Sequence, residues 1–427
     1  MRYQKTVKIP IHYGTTKEKL DKLNKLTARI TYAIRMISEL ITEDTKLDRK
    51  TLRELVRNSD IVERTGLLAG FIDQCIDKVL WSWKAYRKQH RKWERQVASA
   101  KKRNNQKWLA KLLKREPQKP SFENRKVPCR IDYRTGRIEW NRESKITKLW
   151  MHISTLKKNQ PMDIPLNPSH YHLQQLKDAE INDFEIVKKG KKFYAHISIT
   201  KECEDGRIKN AGGIDLGLNQ PVAIVLLDES MPYEDFIGSE EKEKLLEKYD
   251  RIVSELQRAK KWRKLRKLRH KRRNIAVNYD WKIANEVAKI SEGYLIGIGS
   301  NDFRRGQYKG NRMKRLRKRI GKWSYGRQRS AIELKRKERG YPTVKIDEYG
   351  TSRTCHRCGS RLLRREWLPD GNSYVICWDC GLKQEADINS GYNIAYKVFD
   401  AVDEGLKVQM NRMENPASAQ GGCLSIH

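Results

Sequence analysis

The stretch 354–382, TCHRCGSRLLRREWLPDGNSYVICWDCGL, contains two Cys-x-x-Cys pairs, Cys355/Cys358 and Cys377/Cys380. The 18 residues between the pairs fall within the spacing of a zinc ribbon. A glycine follows each pair and predicts a tight turn that lets both thiolates of the pair face one metal ion. Four thiolates complete a closed tetrahedral Zn²⁺ site, which is structural, because a catalytic zinc ion keeps an open coordination position.

Acidic residues flank the zinc-binding stretch on both sides. Asp347 and Glu348 precede it at the end of a predicted strand, and Asp387 follows it where a predicted helix begins. The helix dipole favours a carboxylate there, so a plain helix cap would be the simpler interpretation of Asp387 alone. Asp215 lies in an apolar strand pair, where an unpartnered charge is costly. The acids together predict a metal-using site, interrupted by the zinc ribbon at 351–381.

The chain is strongly basic, with 91 Lys+Arg against 53 Asp+Glu and a net charge of +38. Such an excess predicts a polyanionic partner, because Lys and Arg bind phosphates. A ribosome-associated or merely well-solvated protein is the alternative. Eleven of 16 residues in 258–273 and nine of 16 in 304–319 are basic. The candidate nucleic-acid-binding residues are Arg263, Lys264, Arg266, Lys267, Arg269, Arg315, Arg317 and Arg319.

Two further observations limit the class of protein. The sequence has no apolar run of 18 residues, so we expect neither a transmembrane helix nor a membrane partner. Residues 1–14 alternate like a strand and lack the apolar core of a signal peptide. The four cysteines outside the zinc-binding stretch show no pairing pattern, which indicates a reducing compartment.

Hydrophobic periodicity divides the chain and predicts a multidomain α+β fold. Period two is typical of strands, and apolar spacings of three and four are typical of amphipathic helices. The segment KKGKK predicts a hairpin turn at Gly190. The predicted domains are 1–14 with 121–205 (β-rich), 15–120 (helical), 206–350 with 382–410 (a third domain with a long basic helix at about 239–290), 351–381 (zinc ribbon) and 411–427 (disordered tail).

The arrangement of the acids indicates a reaction class. Phosphodiester hydrolysis with two metal ions needs carboxylates that hold two Mg²⁺ ions about 3.5–4 Å apart. Mg²⁺ prefers oxygen ligands and keeps several waters, so a few acids suffice. An acid on a first strand, one from a later strand and one at the start of a final helix fit an RNase H-like nuclease core.

Four motifs together resemble a known family. They are GIDLGLNQPVAI (213–224), YGTSRTCHRCGS (349–360), CWDCG (377–381) and ADINSGYNIA (386–395). The family is TnpB, the RNA-guided endonuclease of insertion sequences, with its relatives, the compact type V CRISPR effectors and the eukaryotic Fanzor proteins. The motifs cover about 205–400, whereas the resemblance over 1–204 is only architectural. It implies a RuvC nuclease domain with an inserted zinc ribbon that binds target nucleic acid, a β-barrel wedge domain and a helical recognition domain.

The resemblance also implies an activity. A guide RNA, of the omega or the CRISPR type, would direct Mg²⁺-dependent cleavage of double-stranded target DNA beside a short motif that the protein reads. Two Mg²⁺ ions would be catalytic and Zn²⁺ structural, and no protein partner would be required. By position, Asp215 corresponds to the first RuvC acid and Asp387 to the last. The expected location is the cytoplasm or nucleoid of a prokaryote, or the nucleus of a eukaryote.

The middle acid of the family departs from the usual pattern. It normally ends an apolar strand, but the matching stretch YLIGIGSND has Gly299 in that place. The sequence KIDEYGTSRTC looks like the version of the family with a relocated glutamate. We therefore favour Glu348 as the middle ligand over Asp302 or Asp347.

Two other functions fit parts of the sequence. A nuclease-inactive RNA-guided DNA-binding protein, acting as a repressor, would explain Gly299. Such a protein would not need Asp215 and Asp387, which are both present. A DNA transposase that works without RNA fits the acids and the zinc site but leaves the large positive charge and the helical insertion less well explained.

Overall fold

The computed structural model describes residues 1–123, 126–218, 221–228, 230–300, 314–369 and 372–402. The chain forms two compact units. The amino-terminal unit comprises Gln4–Lys201, and the carboxy-terminal unit comprises Met1–Tyr3 with the described residues from Glu202 onward. The predictions for Asp302, for most of the second basic stretch and for the tail lie outside the described residues. The mixed α+β class predicted from the periodicity is confirmed.

The amino-terminal unit combines helices with short strands. Its elements are β1 (Arg2–Pro10), α1 (Lys17–Glu39), α2 (Arg49–Arg57), α3 (Ile61–Thr65), α4 (Ala69–Lys102), α5 (Gln106–Leu113), β2 (Cys129–Ile131), β3 (Gly136–Trp140), β4 (Leu149–Ile153), β5 (Met162–Pro165), α6 (His170–Leu176), β6 (Glu180–Lys189) and β7 (Lys192–Glu202). Within the described part of the chain, no helix has both the length and the apolarity needed to cross a bilayer.

The strands of the amino-terminal unit form two sheets, in the orders β1-β7-β6-β2 and β3-β4-β5. β1 joins β7 although α1 to α5 intervene in the sequence, so the helices are inserted between paired strands. Lys189 pairs with Lys192, which leaves Gly190 in the two-residue turn that the sequence predicted. Phe193 and Ile197 of β7 are buried, as the period-two alternation predicted.

Tryptophan side chains pack the inserted helices together. The Trp83 Nε1 donates a hydrogen bond to the Ser38 Oγ at 2.8 Å and joins α4 to α1. The Trp93 Nε1 donates to the Leu112 carbonyl at 2.9 Å and joins α4 to α5. Buried indole groups need such partners. These contacts indicate that both side chains pack between helices.

The carboxy-terminal unit has a central sheet with helices on both faces. Its elements are β8 (Asn210–Asp215), β9 (Val222–Leu226), β10 (Tyr233–Ile237), α7 (Glu240–Arg258), α8 (Trp262–Leu268), α9 (Lys271–Ile290), β11 (Tyr294–Gly299), α10 (Lys314–Lys322), α11 (Tyr325–Lys337), β12 (Thr343–Ile346), β13 (Leu363–Trp367), β14 (Ser373–Cys377), β15 (Lys383–Glu385) and α12 (Ala386–Asp400).

The prediction of a single long helix at about 239–290 is wrong. The segment forms three helices, α7, α8 and α9. Lys260 has a φ of 50° and therefore interrupts the helix between α7 and α8. Lys and Arg side chains in 258–273 repel one another at helical spacing, which weakens a continuous helix.

The central sheet has the strand order β10-β9-β8-β11-β12. β8, β11 and β12 are parallel, whereas β9 and β10 run antiparallel to their neighbours. Ile388, Ile394 and Val398 of α12 belong to the apolar cluster on one face of the sheet. Ile283 of α9 and Ile332 of α11 belong to the cluster on the other face. The parallel strands bring the carboxyl ends of β8, β11 and β12 to one edge of the sheet.

Two glycines allow α12 to lie unusually close to β8. A Cβ on Gly213 would overlap the Gly391 carbonyl oxygen and would lie 2.6 Å from the Ala395 nitrogen. A Cβ on Gly391 would lie 2.9 Å from a methyl group of Val225. Because neither residue has a side chain, the helix and the strand pack backbone against backbone. This contact brings the first turn of α12 beside the end of β8.

Candidate active site and zinc site

The four cysteines of the ribbon converge around one point. Their sulfur atoms all lie within 4.8 Å of one another, and Cys355 and Cys380 are 3.6 Å apart. Cys358 and Cys377 are 3.5 Å apart. A Zn–S bond of about 2.3 Å in a tetrahedron requires sulfur separations of about 3.8 Å, whereas a disulfide would need about 2.05 Å. The donor set therefore fits a structural Zn²⁺ ion.

The turns that carry the cysteines have the predicted geometry. Gly359 and Gly381 have φ values of 76° and 69°, which favour glycine. Their amides donate to the carbonyls of Cys355 and Cys377 at 2.9 and 3.0 Å. Although burial raises the pKa of the Cys377 thiol, hydrogen bonds from the Cys380 and Asp379 amides of the same turn and from the Cys358 and Cys380 thiols outweigh it and lower the pKa to about 7. The turns thus favour thiolate at Cys377.

Two asparagines connect the ribbon to α12. The Asn393 Nδ2 donates to the carbonyls of Thr351 and Thr354 at 2.9 and 2.8 Å. The Asn389 Nδ2 also donates to the Thr354 carbonyl, at 2.9 Å, and its Oδ1 accepts from the His356 amide at 3.0 Å. The segment that leads into Cys355 is therefore fastened to the helix that carries Asp387.

The three candidate catalytic acids lie at the edge of the central sheet. Asp215 ends β8, and Asp387 lies in the first turn of α12. Glu348 follows β12 by two residues. Burial, with the neighbouring Asp387 and Glu348 carboxylates, raises the pKa of Asp215 to about 8. The neighbouring Ser390 hydroxyl opposes that rise. The fold therefore brings together three carboxylates that lie far apart in the sequence.

Glu348 occupies the space beside Gly299. Gly299 pairs with Ile346 across β11 and β12, and the chain then turns so that the Glu348 side chain lies against the end of β11. A Cβ on Gly299 would overlap the Oε1 and Cδ atoms of Glu348. The carboxylate thus lies where a side chain at position 299 would begin. Glycine at 299 leaves the room that Glu348 fills.

Asp347 has different surroundings. Its side chain is exposed, and its Oδ1 accepts a hydrogen bond from the Tyr349 amide at 3.0 Å. That bond closes a local turn, as Asp side chains commonly do. The Asp347 side chain therefore stabilises the turn in which Glu348 lies.

The carboxylates fit a divalent cation by the chemistry of their donors. Burial raises the pKa of Asp387, as it does that of Asp215. A cation bound beside these carboxylates would lower their pKa values, because a nearby opposite charge favours the ionised form. Among the described residues, only the four cysteines form a metal-binding group within 4.8 Å, so the acids are spread more widely.

The sequence reasoning missed several residues around the acids. Arg365, an exposed residue of β13, opposes the rise in the pKa of Asp387. The Ser390 Oγ donates to the Ala386 carbonyl at 3.0 Å and lies near enough to Asp215 to oppose the rise in its pKa. Ser390 follows Asp387 by three residues and so shares its helix face, a signal that the sequence contained. No local pattern pointed to Tyr325 or Lys397, which contact Glu348 and its loop.

Many of the predicted nucleic-acid-binding residues lie on two short helices. Arg263, Lys264, Arg266 and Lys267 are exposed on α8, and Arg269 is exposed immediately after it. Arg315, Arg317 and Arg319 belong to α10, where the side chains of Arg317 and Arg319 are exposed. The side chain of Arg315 lies outside the part of the chain that the structure describes. Exposure is compatible with binding a polyanion, and their role in binding stays a prediction.

A first prediction concerns the stability of the protein without Mg²⁺. Asp215→Asn is expected to raise the unfolding midpoint in Mg²⁺-free buffer near pH 8, with a much smaller gain near pH 4. The folded pKa of about 8 exceeds the ordinary value of 3.8, so stability falls as pH rises between them. Asn stays neutral throughout. Each kcal/mol recovered shifts the midpoint by about 2–4 °C. Thermal melts at both pH values, with Asp347→Asn as the control, measure this; equal midpoints for Asp215→Asn and wild type would contradict it.

Comparison with protein families found a match for one part of the chain. Residues 325–394 match the family model described as Cas12f1-like, TNB domain. That stretch of the chain is similar to the TNB domain of Cas12f1-like proteins. It includes α11, β12, the ribbon and the start of α12, and thus Glu348, the four cysteines and Asp387. The match confirms the resemblance to compact type V effectors that the motifs indicated.

Comparison with solved structures found similarity over most of the chain at low identity. A Cas12f1–sgRNA–target DNA complex shares 15% identity with a TM-score of 0.33, covering 92% of this chain and 99% of that one. A CRISPR-Cas12f ternary complex gives 14% and 0.34, covering 88% and 82%. The mini-RNA-guided endonuclease CRISPR-Cas_phi3 gives 9% and 0.43, covering 92% of both chains. No curated protein matched this chain.

Proposed function

We propose that this protein is an RNA-guided DNA endonuclease that cleaves phosphodiester bonds in a RuvC-type site formed by Asp215, Glu348 and Asp387. The observation that carries the proposal is the meeting of these three carboxylates at the carboxyl edge of the central sheet. Ligand sites in open α/β sheets lie at such edges. The strand order β10-β9-β8-β11-β12 supports an RNase H-like core. The Cas12f1-like segment supports the family to which this activity is ascribed.

The three acids would hold two Mg²⁺ ions. Such ions activate a water nucleophile and stabilise the charge that develops on the attacking and leaving oxygens. Asp215 must lose its proton before it can bind a cation, so the raised pKa favours metal binding at neutral to alkaline pH. Arg365 adds a positive charge beside Asp387 and would bind a phosphate of the substrate. The carboxylates thus supply the metal ligands, and the ribbon supplies a cation next to them.

The remaining predictions become parts of the same proposal. Guide RNA and double-stranded target DNA would be the partners, with exposed basic residues of α8 and α10 contacting their phosphates. The ribbon would hold a structural Zn²⁺ ion and contact target nucleic acid beside the site. The amino-terminal unit would supply the wedge and recognition domains. Each of these proposals is supported by the charge or the exposure of the residues named, or by the resemblance of the sequence to the family.

The first test asks whether RNA directs cleavage. The protein is purified with its bound RNA, the RNA is sequenced, and a plasmid matching its guide segment is offered with Mg²⁺. We expect cutting at the matched site, and RNase treatment before the assay should abolish it. Guided binding without cutting under any divalent metal would favour the repressor, whereas RNase-resistant cutting would favour the transposase.

The second test concerns the acids. Asp215→Ala, Asp387→Ala and Glu348→Ala should each lower the cleavage rate by about a thousandfold, because losing metal-mediated stabilisation costs about 4 kcal/mol. Asp347→Asn is the matched control, since it removes the charge of the adjacent exposed acid while the amide oxygen can still accept the hydrogen bond from the Tyr349 amide. Its rate should stay near wild type. The reverse outcome, with Asp347 essential and Glu348 dispensable, would show that the middle ligand is misassigned.

A further inference from the structure

Tyr325 touches both residues that define the middle of the proposed site. It is the first residue of α11, and its Oη donates a hydrogen bond to the Gly299 carbonyl at 2.6 Å. The same hydroxyl proton is shared with the Glu348 Oε1, which accepts the longer branch of a bifurcated hydrogen bond at 3.3 Å. One hydroxyl therefore connects the end of β11 to the carboxylate that lies against it.

The start of α11 is fixed by a buried ion cluster. Asp280 of α9 is fully buried and accepts hydrogen bonds from the Ser324 Oγ at 2.8 Å and the Arg327 Nε at 2.7 Å. It also forms an ion pair with Lys242 at 2.8 Å. Ser324 and Arg327 lie on either side of Tyr325 in the sequence. A buried carboxylate with several hydrogen-bonded partners holds its neighbours in place, so the backbone of Tyr325 is firmly anchored.

The backbone at Glu348 is fixed from the opposite side. The Lys397 Nζ, on α12, donates to the carbonyls of Asp347 and Tyr349 at 2.9 and 2.8 Å. The Thr351 Oγ1 donates to the Glu348 carbonyl at 2.9 Å. These bonds hold the main chain and do not by themselves determine the side-chain torsion angles of Glu348. A long side chain loses entropy when its carboxylate is held at one point, so a direct contact is needed to hold it there.

We propose that Tyr325 is a positioning residue whose hydroxyl holds the Glu348 carboxylate over Gly299 and thereby sets the affinity of the site for its divalent cations. The inference rests on the proposed function, in which Glu348 is a metal ligand. Partners that orient a metal ligand typically contribute about 10- to 100-fold in metal affinity or activity. A glutamate displaced from the strand depends more on such a partner, because its own backbone directs it less.

A purely structural role for Tyr325 would give a different result. Its ring packs edge-on against Trp323, with the centroids 5.0 Å apart, and lies under Arg329. Tyr325→Phe keeps these ring contacts and removes only the hydroxyl. If the hydroxyl merely satisfied the Gly299 carbonyl, the variant would lose some stability and keep its metal affinity. Metal affinity therefore separates positioning from structural support.

The experiment measures Mn²⁺ binding to the full chain without RNA, by the loss of the free-ion electron paramagnetic resonance signal. Asp387→Ala defines binding outside the site. We expect Tyr325→Phe to weaken the Asp387-dependent binding by about tenfold. Tyr294→Phe is the matched control, because its Oη donates to the Asp228 carboxylate at 3.2 Å from the opposite end of β11. That variant should bind Mn²⁺ like wild type.

A second readout uses the protein loaded with its guide RNA. Tyr325→Phe should raise the Mg²⁺ concentration for half-maximal cleavage by about tenfold, while the rate at saturating Mg²⁺ recovers most of the wild-type value. Unchanged Mn²⁺ affinity in Tyr325→Phe would overturn the proposal, as would a wild-type chain that binds no more Mn²⁺ than Asp387→Ala. Failure of the wild type to cut guided DNA would count against the proposed function alone, since Mn²⁺ binding is measured without RNA or DNA.

Discussion

Gly299→Ala is expected to lower the rate of guided DNA cleavage by about 100-fold, although it adds only one methyl group. The new Cβ would overlap the Oε1 and Cδ atoms of Glu348, so the carboxylate must move. A displacement of about 1 Å of a catalytic group commonly costs about 100-fold in rate. Single-turnover cleavage at saturating guide RNA, with target binding measured in parallel, would detect the loss of rate at unchanged binding.

The matched control is Gly326→Ala. A Cβ on Gly326 would meet none of the described residues within 4 Å, and Gly326 lies inside α11, where alanine is favoured over glycine. This variant should cut at the wild-type rate. Gly297→Ala gives a second comparison, because its Cβ would overlap a methyl group of Val398 and disturb the core on the same strand. A rate loss for Gly299→Ala that is no larger than that for Gly297→Ala would indicate a general defect of β11.

The same geometry allows the carboxylate to be exchanged between two positions. The Glu348→Ala substitution removes the carboxylate that lies against Gly299, and Gly299→Asp would place a carboxylate there from β11 itself. We expect the double variant to recover part of the activity that Glu348→Ala loses, at least about tenfold. Gly299→Asn in the same background carries an equally large but uncharged side chain and should recover nothing. Equal activity of the two double variants would show that position 299 does not lie beside the metal ligands.

Cys377→Ser is expected to remove both the bound Zn²⁺ and the cleavage activity. A structural Zn²⁺ contributes about 10–16 kcal/mol to the folding of small zinc domains, so losing a ligand unfolds the ribbon. Asn389 and Asn393 fasten the segment before Cys355 to α12, and β15 continues directly into that helix. Unfolding of the ribbon therefore releases both attachments at the start of α12, where Asp387 lies.

The measurement has three parts. Elemental analysis should find about one Zn²⁺ per chain in wild type and far less in Cys377→Ser. Limited proteolysis should cut the variant first within 355–380, and guided cleavage of DNA should fall to background. Cys203→Ser is the control, since the Cys203 Sγ donates to the Lys337 carbonyl at 2.9 Å and lies outside the cysteine cluster. A Cys377→Ser variant that keeps its Zn²⁺ would contradict the assignment of that ligand.

The sequence determined those features that depend on neighbouring residues. The spacing of the cysteines predicted the cluster, because each pair of ligands lies on one tight turn. Alternating apolar and polar residues predicted β6 and β7 with their turn at Gly190, because the period of a strand is local. Asp215 and Asp387 could be proposed from their places at the end of a strand and the start of a helix. The prediction of one long helix over the basic segment was wrong, because repulsion between crowded Lys and Arg side chains opposes the helix that the apolar periodicity favours.

Only the tertiary structure decided how distant residues meet at the site. The parallel register of β11 and β12 brings Glu348 beside Gly299, and the glycine contact between Gly213 and Gly391 brings α12 onto β8. Tyr325 reaches both Gly299 and Glu348 because the buried Asp280 fixes the start of α11. None of these contacts has a local signature, since each depends on strand register and helix packing between segments tens to hundreds of residues apart. The sequence determines which chemical groups are present, and tertiary packing determines the distances between them.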